Sequence, residues 1–199
     1  LELELTPNRG DCLSVLGLAR EISALTEVPM RRPSLPPAVV VGDKVRKVDV
    51  SDADGCPLYT ARMITGIKPG CRTPDWMRER LRRGGIRCLH PLVDITNYVM
   101  LELGQPMHAF DLAKLQGTIA VRPARAGESL SLLNQATVAL DGSELVIADE
   151  SGPIALAGIM GGAATGVGSD THAILLESAQ FAPPRVALTA RRHKLHSAS

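Results

Sequence analysis

The stretch from Thr96 to Asp111 reads T-N-Y-V-M-L-E-L-G-Q-P-M-H-A-F-D. It predicts a helix over Pro91–Leu103 that ends at Gly104, because glycine readily adopts the left-handed backbone conformation that commonly follows a helix. Pro106 then excludes helical geometry from the residue before it, so an extended segment should follow. We therefore expect a helix, a turn and a strand-like segment, with His108 just beyond the helix end.

His108 permits two interpretations. A lone histidine is most often a core or surface residue that satisfies one hydrogen bond, because histidines of intermediate burial are common. A histidine just past a helix end is also well placed for function, since binding residues concentrate on connecting segments of a rigid scaffold. Asp111 would then orient the imidazole or cap the segment that follows. The residues alone leave both interpretations open.

Short strands and a few helices are predicted on both sides of this stretch. Thr73-Pro74-Asp75 predicts the start of a helix that reaches Arg83, and Pro183 opens a last helix through His193. The strand-like runs, several of them separated by glycine or Asp-Gly steps, are Lys44–Val50, Tyr59–Ile67, Thr118–Arg122, Ser129–Leu133, Thr137–Leu140, Leu145–Ala148, Ile154–Ala157 and Ala173–Ala179. Strands and helices do not alternate one to one, so we expect an α+β fold with mixed or antiparallel sheets.

Residues 1–37 are predicted to form a separate piece. A short strand, a turn and a helix capped by Asp11 should lead up to residue 29, and this helix is too small to bury its apolar stripe alone. Pro29–Pro37 holds four prolines and is typical of an extended linker. We therefore expect a remnant with its linker at 1–37 and a main domain at 38–199, with both ends cut from a longer polypeptide.

Composition sets the class of protein. Hydrophobic residues make up 45% of the 199 residues and charged residues 22%, which is typical of a soluble globular protein. No apolar run is long enough to span a membrane. A net charge of +1 indicates no global preference for nucleic acid. The four cysteines include no C-x-x-C pair, so we expect free thiols rather than a zinc site.

Glu177 lies in an apolar run, A-I-L-L-E-S-A at 173–179. Strict strand alternation puts its side chain on one face with Leu175 and Ala179, and the other face is hardly more polar. The charged form of a carboxylate is disfavoured in such surroundings unless something pairs with it. The partner is either an arginine in an internal ion pair or a ligand, and the sequence does not choose between them.

A glycine-rich loop follows a predicted strand at 157–162, with the sequence A-G-I-M-G-G. It has no Gly-Lys-Ser/Thr and lacks the spacing of a dinucleotide-binding loop. Its glycines would let the backbone approach a ligand closely, or would simply allow a tight turn between strands. Both interpretations stay open.

Two basic runs could contact phosphates. One is Arg191-Arg192-His193-Lys194 at the end of the last predicted helix, and the other is the arginine-rich helix that contains residues 78–83. Clustered cations bind nucleic acid through its phosphates. Runs of this length are more often a solvated surface that suits the negative end of a helix dipole.

Five segments in order make the chain resemble the β-chain family of bacterial phenylalanyl-tRNA synthetases. They are L-T-P-N-R-G-D-C-L-S at 5–14, V-D-I-T-N-Y-V-M-L-E-L-G-Q-P-M-H-A-F-D at 93–111, L-A-G-I-M-G-G at 156–162, L-L-E-S-A-Q-F at 175–181 and A-R-R-H-K-L-H-S at 190–197. Five ordered matches are far more specific than a single short motif. The resemblance implies a remnant of the family's first domain followed by its third and fourth domains, the editing region.

The resemblance also implies a function. The family's parent enzyme charges tRNA(Phe) with phenylalanine in the cytoplasm, using ATP and magnesium, as an (αβ)₂ assembly with an α chain. Tyrosine differs by one hydroxyl, which a hydrophobic pocket rejects only weakly, so a second hydrolytic site is useful. This region would remove tyrosine from mischarged Tyr-tRNA(Phe) and meet the tRNA 3′ end, with no cofactor, metal or membrane of its own.

The resemblance supplies the residues of that editing pocket. Glu177 and His108 match the family's acid and histidine and would hydrogen-bond the tyrosine hydroxyl. The other matching positions are Arg87, Thr96, Asn97, Ala157, Gly158, Gly161 and Ser197. No protein general base is assigned, because a positioned water and backbone N–H donors from the glycine loop would suffice for an activated ester. The alternative is a non-catalytic structural or tRNA-binding module of the synthetase.

Overall fold

A computed structural model of the chain describes residues 3–195. Its helices are α1 (Val15–Thr26), α2 (Asp75–Arg83), α3 (Pro91–Leu103) and α4 (Pro183–His193). Its strands are β1 (Val48–Val50), β2 (Leu58–Ile64), β3 (His108–Asp111), β4 (Ile119–Pro123), β5 (Ser129–Ser131), β6 (Thr137–Ala139), β7 (Leu145–Asp149), β8 (Gly152–Leu156), β9 (Met160–Gly161) and β10 (Ile174–Gln180). Within that range, none of the helices has the length and apolarity that crossing a membrane requires.

The described strands form three sheets. The largest has the order β1-β4-β7-β8-β9, a second has the order β2-β10-β3, and β5 pairs with β6 alone. β1 and β4 are parallel, and the other pairs are antiparallel. Mixed sheets combined with packed helices confirm the predicted α+β class.

The chain divides into two compact units that are interleaved along the sequence. The first comprises the chain up to Asp43 together with Thr73–Pro106, and the second comprises Lys44–Arg72 together with the chain from Met107 onward. The boundary predicted at residue 38 lies within the stretch that belongs to the first unit. The second unit contains all three sheets and α4.

In the first unit, α2 and α3 pack through Leu81, which is fully buried, and through Met77 and Tyr98. Asp94 forms hydrogen bonds to the segments that precede both helices. Its buried carboxylate accepts hydrogen bonds from the Thr73 hydroxyl and from the backbone N–H that precedes α3. The α3 bounds agree with the prediction.

The predicted N-cap of α1 is wrong. Asp11 lies instead in a short 3₁₀ turn, Gly10–Cys12, where the Arg9 guanidinium holds its carboxylate at 2.9 Å. Ser14 caps the helix, because its hydroxyl accepts a hydrogen bond of 3.0 Å from the Gly17 N–H.

The core of the second unit lies between the five-stranded and the three-stranded sheets. Ile119, Ile147 and Ile154 from the larger sheet share one buried cluster with Phe110 and Leu175 from the smaller one. β7 is buried along its whole length, since its alternate residues face this cluster and a second one. One face of the β2-β10-β3 sheet is therefore directed into the core.

Candidate functional site

Glu177 and His108 lie directly opposite each other on the antiparallel strands β10 and β3. Opposed residues on adjacent antiparallel strands project their side chains to the same face. On its other side, Glu177 is paired with Ala61 of β2. Phe110 and Leu175 lie two residues from His108 and Glu177 along the same strands, so all four side chains project to one face. Phe110 and Leu175 are core residues, so the carboxylate and the imidazole also face the core.

The Glu177 side chain is buried without a partner. The residue is 6% exposed, and within residues 3–195 its carboxylate forms neither a hydrogen bond nor an ion pair. Loss of hydration disfavours the charged form and raises the carboxyl pKa to about 7. No arginine pairs with Glu177 in the described part of the chain, and the interpretation of a ligand-binding carboxylate stays a prediction.

His108 is similarly unsatisfied. The residue is half-buried, but its Nε2 atom is enclosed and has no hydrogen-bond partner within residues 3–195. The ring stands edge-on to Phe110, with the ring centres 4.4 Å apart. Burial lowers the imidazole pKa to about 4, so the ring is neutral at pH 7 and offers one N–H donor and one bare nitrogen. The interpretation of a merely satisfied core histidine does not fit this ring.

Gly161 of β9 forms a wall against the His108 ring. A Cβ atom added to the glycine would lie 2.4 Å from Cε1 and 2.6 Å from Nε2 of the imidazole. Both distances are too short for any side chain, so the ring can occupy this position only because residue 161 is glycine. The structure thus brings together three of the predicted residues, Glu177, His108 and Gly161.

Gly158 has a different explanation. It lies in a tight turn closed by a hydrogen bond of 3.1 Å from the Ile159 N–H to the Leu156 carbonyl, and its φ of +69° is a conformation that glycine adopts freely. Ala157, the residue before it, is a core residue at 3% exposure. The turn interpretation of the glycine loop therefore holds for Gly158.

The backbone of the loop is already engaged in part. The N–H of Ile159 bonds within the turn, Gly162 donates to the Ile154 carbonyl at 2.7 Å, and Ala163 donates to the Ser131 carbonyl at 2.8 Å. These three donors are used within the fold. The set of loop N–H groups that could stabilise an oxyanion is therefore smaller than the sequence suggested.

Three predicted residues belong to the first compact unit. Arg87 is exposed between α2 and α3 and lines an open groove of about 530 Å³ along α2. Thr96 is buried, and its hydroxyl donates to the Val93 carbonyl at 2.8 Å. Asn97 is half-buried on the next position of α3. Ser197 lies outside the described residues.

Two residues near Glu177 were not anticipated. Tyr59 of β2 projects to the same face, and its hydroxyl is buried with no partner in the described part of the chain. The thiol of Cys56 is 2% exposed, and burial together with the Glu177 charge raises its pKa to about 11, so it is not a thiolate at neutral pH. The strand pairing that brings Tyr59 to Glu177 is not encoded in any local motif.

The basic runs are largely engaged in internal contacts. In α4, Arg192 pairs with Asp141, and His193 lies 2.9 Å from the fully buried carboxylate of Glu144. In α2, Glu79 pairs with both Arg82 and Arg83. The surface interpretation therefore fits these pairs better than a bare phosphate-binding cluster.

One group in the described residues has the spacing of metal ligands, and it includes Asp11, Cys12 and Glu21. The Arg9 guanidinium already contacts all three, at 2.9 Å from Asp11, 2.9 Å from the Cys12 sulfur and 2.7 Å from Glu21. A bound cation would have to displace this arginine, so the group does not fit a metal centre.

A family model described as the B3/4 domain matches residues 55–199. This covers more than half of the chain, which therefore belongs to the B3/4 domain family. The matched region includes the β2-β10-β3 sheet with His108 and Glu177.

The similar curated proteins described next are both phenylalanine–tRNA ligase beta subunits. The phenylalanine–tRNA ligase beta subunit of Coxiella burnetii is 50% identical over 199 residues, and that of Pseudomonas putida is 52% identical over 198 residues. These alignments cover 100% and 99% of this chain and 25% of each relative. The chain thus spans a quarter of the length of these relatives.

A solved structure shares the fold. An N-terminal fragment of the phenylalanyl-tRNA synthetase beta subunit from Pyrococcus horikoshii superposes with a TM-score of 0.53 and 18% sequence identity. The match covers 93% of this chain and 58% of that one. Identity at this level supports the fold alone.

Proposed function

We propose that this chain is part of the beta subunit of a bacterial phenylalanine–tRNA ligase, and that its second compact unit carries a site that hydrolyses tyrosine from mischarged Tyr-tRNA(Phe). The names of the similar proteins support the first half of this proposal. The observation that supports the second half is the facing pair of the buried Glu177 carboxylate and the enclosed His108 Nε2 atom, both without partners within residues 3–195.

Unpaired buried groups select for a ligand that pairs with them. A tyrosine hydroxyl donates to a Glu177 carboxylate oxygen and accepts from the His108 ring N–H, so both groups become satisfied. Phenylalanine leaves both unpaired, which costs about 1–3 kcal/mol for each group. The site therefore favours the hydroxyl that a hydrophobic synthetic pocket tolerates.

The neutral state of His108 suits this task. With a pKa near 4, the ring carries one proton at pH 7, and the tautomer with hydrogen on Nε2 donates to the phenol oxygen. The Glu177 carboxyl, with a pKa near 7, is readily converted to the carboxylate that accepts the phenol proton in a hydrogen bond.

The hydrolytic step requires little from the protein. The ester to the terminal ribose is activated, so a positioned water attacks its carbonyl and the ribose oxygen leaves with a proton. Backbone N–H groups that are not engaged in the turn stabilise the oxyanion. Glu177 and His108 bind the distant phenol end in this proposal and hold the ester in place, so neither is assigned as the general base.

The remaining parts of the proposal concern the whole ligase. An α chain, the (αβ)₂ assembly, ATP and magnesium would serve aminoacylation elsewhere in the protein, and the tRNA(Phe) 3′ end would reach this site. The compartment expected for such an enzyme is the cytoplasm. For Arg87, Thr96, Asn97 and Ser197, a role in editing stays a prediction that rests on the resemblance alone.

The test is deacylation of Tyr-tRNA(Phe) by the complete ligase that carries this segment, with Glu177→Ala as the variant and Glu4→Ala as the matched control at an exposed position of the first unit. We expect the wild type and the control to release tyrosine, and Glu177→Ala to lose at least about tenfold in rate, as follows from 1.4 kcal/mol per factor of ten. If Glu177→Ala releases tyrosine at the wild-type rate, the site is misassigned.

The second candidate is a non-catalytic module that supports the synthetase and contacts tRNA. The exposed Arg87 beside the α2 groove favours it. Under this candidate the wild-type ligase would not release tyrosine at all, and Glu177→Ala would change nothing except stability. The same deacylation assay therefore separates the two candidates.

A further inference from the structure

Tyr59 is a neighbour of Glu177 across the β2–β10 pairing. It is opposite Ala179, two residues beyond Glu177, while Ala61 is opposite Glu177 itself. All these side chains project to one face, and diagonal neighbours at this spacing are within reach of an aromatic side chain. Ala61 is small, so nothing from the position directly opposite fills the space between the tyrosine and the carboxylate.

The Tyr59 hydroxyl is the third unpaired polar group in this region. It is buried and has no hydrogen-bond partner in the described residues. Burial and the charge of Glu177 raise the pKa of this phenol well above its usual value. The Tyr59 phenol therefore stays protonated at neutral pH. It can act as a hydrogen-bond donor or acceptor, but not as a base.

We propose that Tyr59 is a positioning residue whose hydroxyl donates a hydrogen bond to the Glu177 carboxylate when a phenol occupies the site. This inference rests on the proposed function and adds a residue to it. One carboxylate oxygen accepts from the substrate phenol, and the other accepts from Tyr59. His108 Nε2–H donates to the phenol oxygen from the β3 side.

This arrangement satisfies the unpaired groups of Tyr59, His108 and Glu177 at once. The Tyr59 hydroxyl, the His108 Nε2 and the Glu177 carboxyl are all without partners among the described residues. When the phenol binds, Tyr59 and His108 each gain one hydrogen bond, and the Glu177 carboxylate gains two, one from Tyr59 and one from the phenol. A phenylalanine ester recruits none of these bonds, so Tyr59 sharpens the discrimination between the two amino acids.

The role proposed for Tyr59 predicts how Tyr59→Phe changes the stability of the fold. A buried hydroxyl without a partner destabilises the fold, so its removal should leave stability unchanged or raise it. A hydroxyl that held the fold together would behave in the opposite way. Tyr59→Phe therefore separates a binding role from a structural one, and Tyr98→Phe is the matched control because the other tyrosine accepts a hydrogen bond from Arg80 in the first unit.

The experiment measures release of tyrosine and of phenylalanine from tRNA(Phe) by the complete ligase. For Tyr59→Phe we expect tyrosine release to fall by about tenfold, which corresponds to one lost hydrogen bond to a charged group, while the slow phenylalanine release stays the same. The thermal unfolding midpoint should stay the same or rise. Tyr98→Phe should keep the wild-type ratio of the two rates.

A double-mutant cycle with Glu177→Gln tests whether Tyr59 acts through Glu177. If it does, the tenfold effect of Tyr59→Phe shrinks to a few-fold in the Glu177→Gln background, since the neutral amide oxygen that replaces the carboxylate is a weaker acceptor. If the rate effects of Tyr59→Phe and Glu177→Gln simply multiply in the double variant, the positioning role of Tyr59 is overturned.

The pH profile gives an independent readout. The titratable groups that face Glu177 are Tyr59 from β2, His108 from β3 and Cys56 from the segment before β2. Only Glu177 titrates near neutral pH. Without the Tyr59 hydroxyl as a donor, the charged form of Glu177 is less stable in the complex and its pKa is higher. The midpoint of the pH profile of kcat for tyrosine release should therefore lie at higher pH in Tyr59→Phe.

The outcomes separate the two proposals. A wild-type ligase that does not release tyrosine contradicts the proposed function before Tyr59 is considered. A wild type that releases tyrosine, together with a Tyr59→Phe variant that matches it in rate, ratio and pH profile, overturns this inference alone. A Tyr59→Phe variant that loses activity and stability together also overturns it, because the hydroxyl would then be structural.

Discussion

Gly161 lies directly against the imidazole of His108, and a Cβ atom at position 161 would fall 2.4 Å from the ring. Gly161→Ala must therefore displace the ring from its place beside Phe110. We expect the variant to lose at least about tenfold in tyrosine release because the Nε2 donor is moved. Gly10→Ala is the control, since a Cβ there meets nothing within 4 Å. A Gly161→Ala ligase with the wild-type rate would contradict the role of His108.

Gly158 should respond differently, because its φ of +69° belongs to a turn. An added Cβ there would also lie 3.0 Å from Phe181 and from Val186. We expect Gly158→Ala to destabilise the protein by about 1–2 kcal/mol in denaturant unfolding. The ratio of tyrosine to phenylalanine release should remain that of the wild type. A changed ratio with unchanged stability would instead make Gly158 a residue of the pocket.

The burial of Glu177 and His108 predicts opposite pH dependences of stability. The Glu177 pKa rises from 4.5 to about 7 on folding, so its contribution is fully present below pH 4.5 and is lost as the pH rises through 7. The His108 pKa falls from 6.5 to about 4, so its contribution is present above pH 6.5 and is lost as the pH falls through 4. The two nearly cancel in the wild type.

Single substitutions should reveal each contribution. Glu177→Gln should become more stable relative to the wild type as the pH rises from 4.5 to 7, by about 3 kcal/mol. His108→Gln should become more stable relative to the wild type as the pH falls from 6.5 to 4, by about 2 kcal/mol, less because the ring is partly exposed. Denaturant unfolding at several pH values measures both differences, and a flat difference for either variant would show that its group is not desolvated.

Selectivity should depend on pH through Glu177. The kcat/KM ratio for release of tyrosine over phenylalanine reports the free enzyme, in which the Glu177 pKa is about 7. We expect the ratio to fall as the pH drops below 7, because the protonated carboxyl is a weaker acceptor for the phenol. Use of the ratio removes the pH dependence of ester hydrolysis itself. Glu177→Gln should give a ratio that does not vary with pH, and a pH-dependent ratio in that variant would assign the titration to another group.

Much of the fold was predictable because it depends on local signals. Gly104 ends α3 with a φ of 79°, and the two prolines at 183–184 open α4, as the sequence indicated. Most strands were found within a few residues of their bounds. Several runs were predicted too long, the first two by three residues or more, since β1 starts only at Val48 and β2 ends at Ile64. Alternation continues beyond the residues that have a pairing partner, so periodicity alone does not locate a strand end.

The site was predictable only in part. Glu177 was recognisable as an acid in an apolar run, and the strand register confirms the face that alternation assigned to it. The residues that lie opposite Glu177 on the neighbouring strands could not be recognised. The pairing of β10 with β2 joins residues more than a hundred positions apart in the sequence. Tyr59 was therefore missed. The two-residue strand β9, which brings Gly161 to the imidazole, carries no periodic signal.

The most direct test is a crystal structure of the ligase with a non-hydrolysable analogue, tyrosine joined by an amide to 3′-amino-adenosine. We predict that the phenol oxygen lies within about 2.6–3.2 Å of both the Glu177 carboxylate and the His108 Nε2. The matching phenylalanine analogue should bind more weakly at the same place. A tyrosine analogue bound elsewhere, or with its phenol directed to solvent and away from Glu177, would contradict the account.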